Sequence, residues 1–233
     1  MQREFSESEP ELMDLPDVDE STLRVDLQHL ASLNRTFGGR KAVETVFHKL
    51  ADKARKLLLF DLCCGYGDHG RNLIEQAKAS NCELTIVALD FQFQTLKIAR
   101  EATPSSKKMF FVQADARKLP FRNKAADLAF CSLALHHFAE PDALILLKEM
   151  ARTGRRGTAV IDLVRSRIAA FCIWMLTAFI IRDPMVRHDA RLSIRRAFTG
   201  REMKDLTQKA GWPNLHQSKF LLFQQAVTAR LEA

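Results

Sequence analysis

The chain has 233 residues, of which 47% are hydrophobic and 27% charged, values typical of a soluble globular protein that exclude a disordered or fibrous chain. Its 35 lysines and arginines exceed its 28 aspartates and glutamates, giving a net charge of +7. The charge is uneven, because residues 1–20 hold eight acids and one base, leaving 34 bases and 20 acids elsewhere. The excess of basic residues outside residues 1–20 is compatible with anionic small molecules, nucleic acid or a membrane surface as partners. Charge alone does not distinguish among them.

The spacing of cysteines and histidines argues against a disulfide framework and against a metal site. The number of cysteines is odd, and no pair has the two-residue gap of a zinc or redox motif; they are Cys63, Cys64, Cys82, Cys131 and Cys172. Histidines and acids are also scattered without metal-ligand spacing, so we expect no metal. No apolar leader follows a positive charge at the N-terminus, so we expect reduced thiols in a cytoplasmic protein.

Before the core, the sequence predicts an acidic, loosely held N-terminal arm at residues 1–20 and a helical cap at residues 21–55. The Gly38-Gly39 pair separates two amphipathic helices within the cap. Their apolar positions follow helical spacing and are Leu23, Leu27 and Leu30, then Val43, Val46, Phe47 and Leu50.

From residue 56 to 164 short apolar strands alternate with amphipathic helices. The five predicted strands are Leu57–Phe60, Leu84–Leu89, Phe110–Gln113, Leu128–Ser132 and Thr158–Val164. Such alternation indicates βαβ units and a mostly parallel sheet with helices on both faces. A last helix and an antiparallel pair of strands, near 215–220 and 222–228, complete the core within residues 199–233. The sequence therefore predicts an α/β fold with a seven-stranded sheet.

An inserted segment, residues 165–198, is predicted to form a helical lid. Residues 168–181 are all apolar except Thr177, and as a helix they would span about 21 Å, less than the ~30 Å hydrocarbon core of a bilayer. We therefore expect no transmembrane segment, and a peripheral membrane contact is the alternative to a buried helix. Eight arginines fall within 165–201.

A glycine-rich turn, residues 61–70, lies between the first strand and the next helix. It matches the dinucleotide fingerprint GxGxxG through Gly65, Gly67 and Gly70. However, Asp61 directly precedes the turn, and a carboxylate there repels a pyrophosphate. The same carboxylate attracts a cationic amino group. The turn therefore favours S-adenosylmethionine, which carries an ammonium, over a dinucleotide.

Four motifs at successive strand ends resemble those of class I S-adenosylmethionine-dependent methyltransferases, and the chain is similar to the small-molecule branch that includes quinone-biosynthesis methyltransferases. They are the acidic glycine turn, Asp90-Phe91, Asp115-Ala116 and residues 132–138. The resemblance implies a Rossmann-like sheet, with Asp90 on the ribose and Phe91 and Asp115 near the adenine. It implies these cofactor-binding residues: Asp61, Cys63, Gly65, Tyr66, Gly67, Asp90, Phe91, Asp115, Ala116 and Ser132.

Cys63 departs from the family pattern, because glycine usually stands at this position. A Cβ atom restricts the backbone angles and the approach of a ligand. Since Gly65 and Gly67 remain, we expect cofactor binding to survive. A non-catalytic cofactor-binding scaffold is the alternative that Cys63 leaves open.

His136 and His137 follow the fourth strand, where the resemblance places methyl donor and acceptor. A phenolic hydroxyl, with a pKa near ~10, reacts faster when a base removes its proton, and a histidine with a reference pKa of ~6.5 suits that task. Both are candidate catalytic residues; the alternative is that they cap backbone groups or line the pocket.

Other polar residues carry less specific expectations. Arg35, after Asn34, is a candidate partner for the cofactor's carboxylate. His69 is expected at the surface and Asp162 as a buried hydrogen-bonding group. Arginines of the lid, among them Arg187 and Arg195, are expected either to pair with an anionic acceptor or to form a solvated surface.

The acceptor is expected to be a small hydrophobic molecule, methylated more readily on oxygen than on carbon. The apolar lid helix and the 16 phenylalanines favour a hydroxylated aromatic, a quinone precursor or a polyketide-like product. We expect no nucleic acid partner, because Ser132-Leu133-Ala134-Leu135 replaces the Asn/Asp-Pro-Pro-aromatic run of base methyltransferases. C-methylation or RNA methylation is the alternative, and the sequence leaves the oligomeric state open.

Overall fold

A seven-stranded sheet runs through the centre of the molecule. The computed structural model describes residues 1–6, 8–15, 17–105, 108–220 and 223–231. The strands are β1 (Lys56–Leu62), β2 (Glu83–Asp90), β3 (Met109–Gln113), β4 (Ala126–Ser132), β5 (Gly154–Leu163), β6 (His216–Phe220) and β7 (Gln224–Arg230). The start predicted for the last strand, residue 222, lies outside the described residues.

The strand order is β3-β2-β1-β4-β5-β7-β6. Strands β1 to β5 are mutually parallel, and β7 is antiparallel to both β5 and β6. The chain winds outwards from β1 in one direction and from β4 in the other, so a crevice opens at the carboxyl ends of these two strands. The predicted fold class, a Rossmann-like sheet that is parallel except for its terminal hairpin, is confirmed.

Within the described residues, eight α-helices surround the sheet. They are α1 (Glu20–Thr36), α2 (Gly39–Ala51), α3 (Asp68–Ala79), α4 (Phe93–Glu101), α5 (Glu140–Thr153), α6 (Arg167–Phe179), α7 (Pro184–Arg196) and α8 (Gly200–Lys209). Helices α2 and α3 pack on one face of the sheet, and α5 and α8 pack on the other. Each face buries alternate apolar residues of the strands, as a sheet covered on both sides requires.

Local sequence signals fix several helix boundaries. Gly38, between α1 and α2, adopts a left-handed conformation with φ of 88° that glycine accepts without strain. The hydroxyl of Thr199 caps α8, and Glu202 completes the capping box. Helix α7 lies within the predicted helical lid, although its own bounds were not predicted; the Asp183 carboxylate caps its first turn and Pro184 occupies its first position.

The N-terminal arm (residues 1–20) is not loosely held. The Arg3 guanidinium donates to the carbonyl of Phe138 at 2.7 Å, and the backbone N–H of Leu12 donates to the Asp189 carboxylate at 2.8 Å. Composition failed as a guide because it does not reveal partners so distant in sequence. The arm therefore lies over the carboxyl edge of the sheet, against α7.

Candidate functional site

A cavity of about 650 Å³ opens at the carboxyl ends of β1, β2 and β4. The N-terminal arm, α1, α6 and α7 close it on the other sides. The residues that the four sequence motifs suggested line this cavity, apart from Asp61 and Gly67. Ligand sites of open α/β sheets occupy this position.

The glycine turn gives a ligand close access to the backbone. Cys63, Gly65 and Gly67 all have positive φ, at 55°, 51° and 70°. A Cβ atom on Gly65 would meet nothing within 4 Å, so this position faces open space, whereas one on Gly67 would lie 2.9 Å from the Met109 methyl group. Gly65 therefore allows close approach of a ligand, and Gly67 allows packing of the turn.

Cys63 adopts the left-handed conformation that glycine would take in the family pattern. Such a conformation in a non-glycine residue costs of the order of 1 kcal/mol or more. Burial and a hydrogen bond with the Cys131 thiol raise the pKa of the Cys63 thiol. The departure from glycine therefore keeps the shape of the turn, and both cysteines are free thiols.

Asp61 is a buried carboxyl behind the glycine turn. Burial, together with the nearby charges of Asp68 and Asp90, raises its pKa to about 7. Its Oδ2 lies 3.4 Å from where a Cβ of Gly70 would stand, so it faces the start of α3. Three carboxyls around one turn form a site that favours a cation.

Asp90 ends β2 with both carboxylate oxygens facing backbone donors. Oδ2 accepts from the N–H of Gly65 at 2.9 Å and Oδ1 from the N–H of Gln92 at 3.1 Å. Burial raises the pKa of Asp90, and these two hydrogen bonds oppose the rise. Each oxygen keeps a lone pair for a further donor, so the carboxylate can accept from two adjacent hydroxyls. Phe91, beside it, is exposed and lines the cavity edge.

A salt bridge holds the Asp115-Ala116 motif in position. The guanidinium of Arg117 donates to the Asp115 carboxylate at 2.8 Å and to Asp142 at 2.8 Å, while Ala116 is buried. Tyr66, in the glycine turn, lies under the Arg71 guanidinium at 4.5 Å from the ring centre. Both contacts leave these residues on the cavity wall, fixed in position.

Three buried polar side chains on the cavity wall have atoms that lack protein partners among the described residues. These atoms are the two ring nitrogens of His69, the hydroxyl of Ser132 and the amide oxygen of Gln224. The expectation that His69 is a surface residue is wrong, because the turn of α3 directs it inwards. Buried polar atoms left without partners in a cavity indicate contacts with a ligand or water.

His136 is oriented by a buried carboxylate. Its Nδ1 donates to Asp162 Oδ1 at 2.7 Å, and its backbone N–H donates to Asp162 Oδ2 at 2.8 Å. Asp162 also accepts from the N–H of Leu163 at 2.7 Å. A carboxylate that accepts three hydrogen bonds is an acceptor only, so Nδ1 of His136 carries a proton and Nε2 is directed away from Asp162.

His137 is held as a cation by the N-terminal arm. Its Nδ1 lies 2.7 Å from Asp14 Oδ2, and its Nε2 lies 3.7 Å from Glu11 Oε2. Burial alone would lower the pKa of His137, but the two carboxylates raise it to about 10. Conversely, His137 lowers the pKa of Asp14 against the effect of burial. Sequence reasoning missed both acids, since nothing in their local pattern points to distant imidazoles.

Three arginines considered from the sequence lie away from the cavity. Arg35 is exposed at the end of α1, although its neighbour Asn34 lines the cavity. Arg187 and Arg195 line a separate groove along the outer side of α7, together with Arg191. The cavity thus has an acidic turn at one end and an imidazole–carboxylate cluster at the other.

Comparison with known proteins agrees with this arrangement. Residues 59–157 match a protein family described as a methyltransferase domain. A demethylmenaquinone methyltransferase of Staphylococcus aureus (strain MRSA252) is 33% identical over 107 residues, which are 46% of this chain and 42% of that protein. The chain therefore spans about two fifths of the length of the curated relatives it matches.

Solved structures share the fold over almost the whole chain. Human N-acetylserotonin methyltransferase, in complex with SAM, has a TM-score of 0.68 and 19% identity, covering 92% of this chain and 57% of that one. The plantazolicin methyltransferase BpumL, in complex with a substrate analogue and SAH, has a TM-score of 0.68 and 13% identity, covering 91% of both chains. These findings show that residues 59–157 resemble a methyltransferase domain and that the chain shares the fold of solved methyltransferase structures.

The variant Asp14→Asn tests the charge coupling between the arm and the imidazoles. Removing one of the two carboxylates should lower the proton affinity of His137 about tenfold or more. Because the folded-state pKa is raised, docking of the arm onto His137 is fully stabilising below pH ~6.5 and is lost as pH rises through about 10. NMR titration of the histidine ring protons measures the shift.

The matched control is Asp17→Asn, which removes an exposed acid of the same arm. It should leave the titration of His137 unchanged. Equal titration curves for wild type and Asp14→Asn would contradict the proposed coupling.

Proposed function

We propose that this chain, whose residues 59–157 form a class I S-adenosylmethionine-dependent methyltransferase domain, methylates an oxygen of a small hydrophobic acceptor, such as a hydroxylated aromatic, quinone-like or polyketide-like compound. The observation that carries the proposal is one cavity joining the acidic glycine turn to the Asp162–His136 pair. The first feature suits a methyl donor with an ammonium group. The second suits an acceptor whose hydroxyl must lose a proton.

The residues at the glycine turn fit S-adenosylmethionine, which supplies the methyl group when bound. Gly65 leaves open space beside its backbone, and the partnerless His69 and Ser132 side chains offer polar contacts. In this proposal the Asp61 carboxylate neutralises the ammonium, and Asp90 accepts hydrogen bonds from both ribose hydroxyls. The protein's task in such a transfer is chiefly to hold the reacting atoms in line, which can supply several kcal/mol.

His136 and His137 have different roles towards the acceptor in this proposal. Asp162 fixes the His136 tautomer, so that Nε2 can accept the proton of an acceptor hydroxyl. His137 is already protonated at neutral pH because its pKa is about 10, so it stabilises the resulting oxyanion rather than acting as a base.

The walls of the cavity support a hydrophobic acceptor. Between its two polar ends the lining is largely apolar, contributed by α1, α6 and the segments that follow, and includes Leu27, Leu30, Phe37, Ile173, Leu176 and Ile181. An apolar wall with a few convergent polar groups selects a small molecule by shape and fixes its reactive atom.

The outer face of α6 favours contact with a membrane surface. In this proposal the membrane is the source of the hydrophobic acceptor. Large apolar side chains are exposed along it and just beyond its end; they are Ile168, Phe171, Trp174, Met175, Phe179 and Ile180. Exposed Arg167 and Arg182 flank this face, as in helices that lie in the interface of an anionic bilayer. None of the helices in the described ranges is both long and apolar enough for a membrane crossing. Free thiols support a cytoplasmic setting.

The pH dependence of cofactor binding tests the role of Asp61. Its carboxyl has a pKa of about 7 and must be charged to pair with an ammonium, so between about pH 6 and about pH 8 the charged fraction rises roughly tenfold. Calorimetry with S-adenosylhomocysteine should therefore give a Kd about ten times lower at the upper pH.

The variant Asp61→Asn should bind S-adenosylhomocysteine more weakly, with no rise in affinity over the same interval. Asp205→Asn, at an exposed position of α8, is the control and should keep the wild-type profile. A wild-type Kd that is constant between these pH values would contradict pairing of the Asp61 carboxylate with the ammonium.

Turnover tests the acceptor class and the base. Release of S-adenosylhomocysteine should occur with a panel of phenols and quinols and not with RNA. His136→Ala should lower kcat about 10²–10⁴-fold with unchanged S-adenosylhomocysteine binding, while His216→Ala, an exposed histidine of β6, should leave kcat unchanged.

Each other result of this assay identifies an alternative. Release with RNA alone would make the chain an RNA methyltransferase. Methyl groups found on carbon would make it a C-methyltransferase. Binding without release for any acceptor would favour the non-catalytic scaffold.

Vesicle flotation tests the membrane contact. Phe171→Asp should lower binding to vesicles containing phosphatidylglycerol by about tenfold or more, because an apolar side chain in contact with lipid becomes charged. Phe110→Asp is the matched control, since Phe110 of β3 is 60% exposed and Phe171 is 62% exposed. Equal binding by both variants would contradict a role for α6.

A further inference from the structure

Three ligand atoms of the kinds that bind transition metals converge at the acceptor end of the cavity. They belong to Glu11 of the N-terminal arm and to the adjacent His136 and His137, and they all lie within 4.8 Å of one another. Two residues of the trio are fully buried and the third is half-buried. The three come from distant parts of the sequence, which is why sequence spacing predicts no metal.

The separations among these atoms suit coordination better than hydrogen bonding. Glu11 Oε1 lies 3.6 Å from His136 Nε2, and Glu11 Oε2 lies 3.7 Å from His137 Nε2. Both distances exceed those of a hydrogen bond. Ligands bound at ~2.0–2.1 Å in a tetrahedron are about 3.3–3.4 Å apart, so a small inward shift would place all three atoms around one ion.

Each of the three side chains is oriented by a second group. His136 Nδ1 bonds to Asp162 and His137 Nδ1 bonds to Asp14, both at 2.7 Å. The Ser193 hydroxyl donates to Glu11 Oε1 at 2.7 Å. Carboxylates on the outer nitrogens of metal-bound histidines fix the ring orientation and increase ligand basicity. The inner nitrogens are thereby directed towards the Glu11 carboxylate.

The local charge also favours a cation. Glu11 is 3% exposed and Asp162 is 0% exposed. Asp189, also buried, accepts from the N–H of Leu12 directly after Glu11. Burying several carboxylates beside two imidazoles is unfavourable unless positive charge compensates them.

We propose that Glu11, His136 and His137 bind one divalent transition-metal ion of the Zn²⁺ or Mn²⁺ class. Two imidazoles and one carboxylate suit such ions, and three protein ligands leave a coordination position for a further oxygen. All three residues line the cavity, so that position faces the acceptor.

The chemical consequence rests on the proposed function and narrows its acceptor class. An acceptor with a phenol or enol oxygen would bind the ion as an oxyanion, with its proton released to water, because the ion lowers the pKa of a coordinated hydroxyl. Binding of the ion would release the Nε2 proton of His137 to solvent, and activation of the hydroxyl would then pass from His136 to the ion. Without it, His136 remains the base.

Direct binding tests the proposal without reference to turnover. Tag-free protein, dialysed against chelator and then against buffer, is titrated with Zn²⁺ by calorimetry, and parallel samples receive Co²⁺ as a spectroscopic probe. We expect one equivalent of Zn²⁺ and visible d–d absorption of Co²⁺, which Zn²⁺ displaces. Retention of the metal after dialysis is measured by elemental analysis.

Matched variants locate the ion. Glu11→Gln keeps the size of the side chain and should weaken Zn²⁺ binding at least tenfold, and His137→Asn should abolish the Co²⁺ band. His216→Ala removes an exposed histidine and should leave both signals unchanged. Thermal melting monitors the fold of each variant, and the wild-type Co²⁺ spectrum needs no variant.

The outcomes separate this inference from the proposed function. Absence of stoichiometric Zn²⁺ and of a Co²⁺ band in the wild type, or equal Zn²⁺ affinity in Glu11→Gln and His216→Ala, would overturn the metal site. Binding of S-adenosylhomocysteine by the same metal-free samples would still support the methyltransferase proposal. Conversely, wild-type protein that binds the metal but does not bind S-adenosylhomocysteine would count against the methyltransferase proposal and would still support the metal site.

Discussion

Attraction between the carboxylates of the N-terminal arm and the imidazole pair holds the two halves of the site together. Glu11 and Asp14 lie against His136 and His137, and they raise the pKa of His137 to about 10 despite its burial. The arm is acidic and the remainder of the chain is basic, so long-range charge favours the same docking. Without this contact the cavity would lose the wall that the arm contributes beside the two histidines.

The grouping of the Asp61 turn with Asp90 at one edge of the sheet could be predicted from the sequence because its signals are local. The Asp61 turn and Asp90 follow apolar strands directly, and the carboxyl ends of neighbouring parallel strands must lie together. The acceptor end could not be predicted in this way. Glu11 and Asp162 reach the histidines only through tertiary packing, and His69 is turned inwards by the start of α3, which its neighbours do not signal. The bounds of helix α7 within the predicted lid were not found because its charged sequence has no clear apolar stripe.

Two of the six described non-glycine residues with positive φ border the cavity. Cys63 and Leu133 follow the ends of β1 and β4, and both have positive φ, at 55° and 54°. The N–H of Cys64 donates to Leu89 and that of Leu133 to Ile161, at 2.9 and 2.7 Å. Neighbouring strands therefore hold both strained residues in place, as is common at functional sites.

The contact between Leu12 and Asp189 joins residues 177 positions apart in the sequence. A contact between residues so distant in sequence closes a long loop. The entropy lost in closing that loop is offset only after most of the chain is ordered. The sheet can therefore assemble, with its glycine turn formed, while the arm is still undocked. Competence to bind the methyl donor would then precede, during folding, the completion of the surface that receives the acceptor.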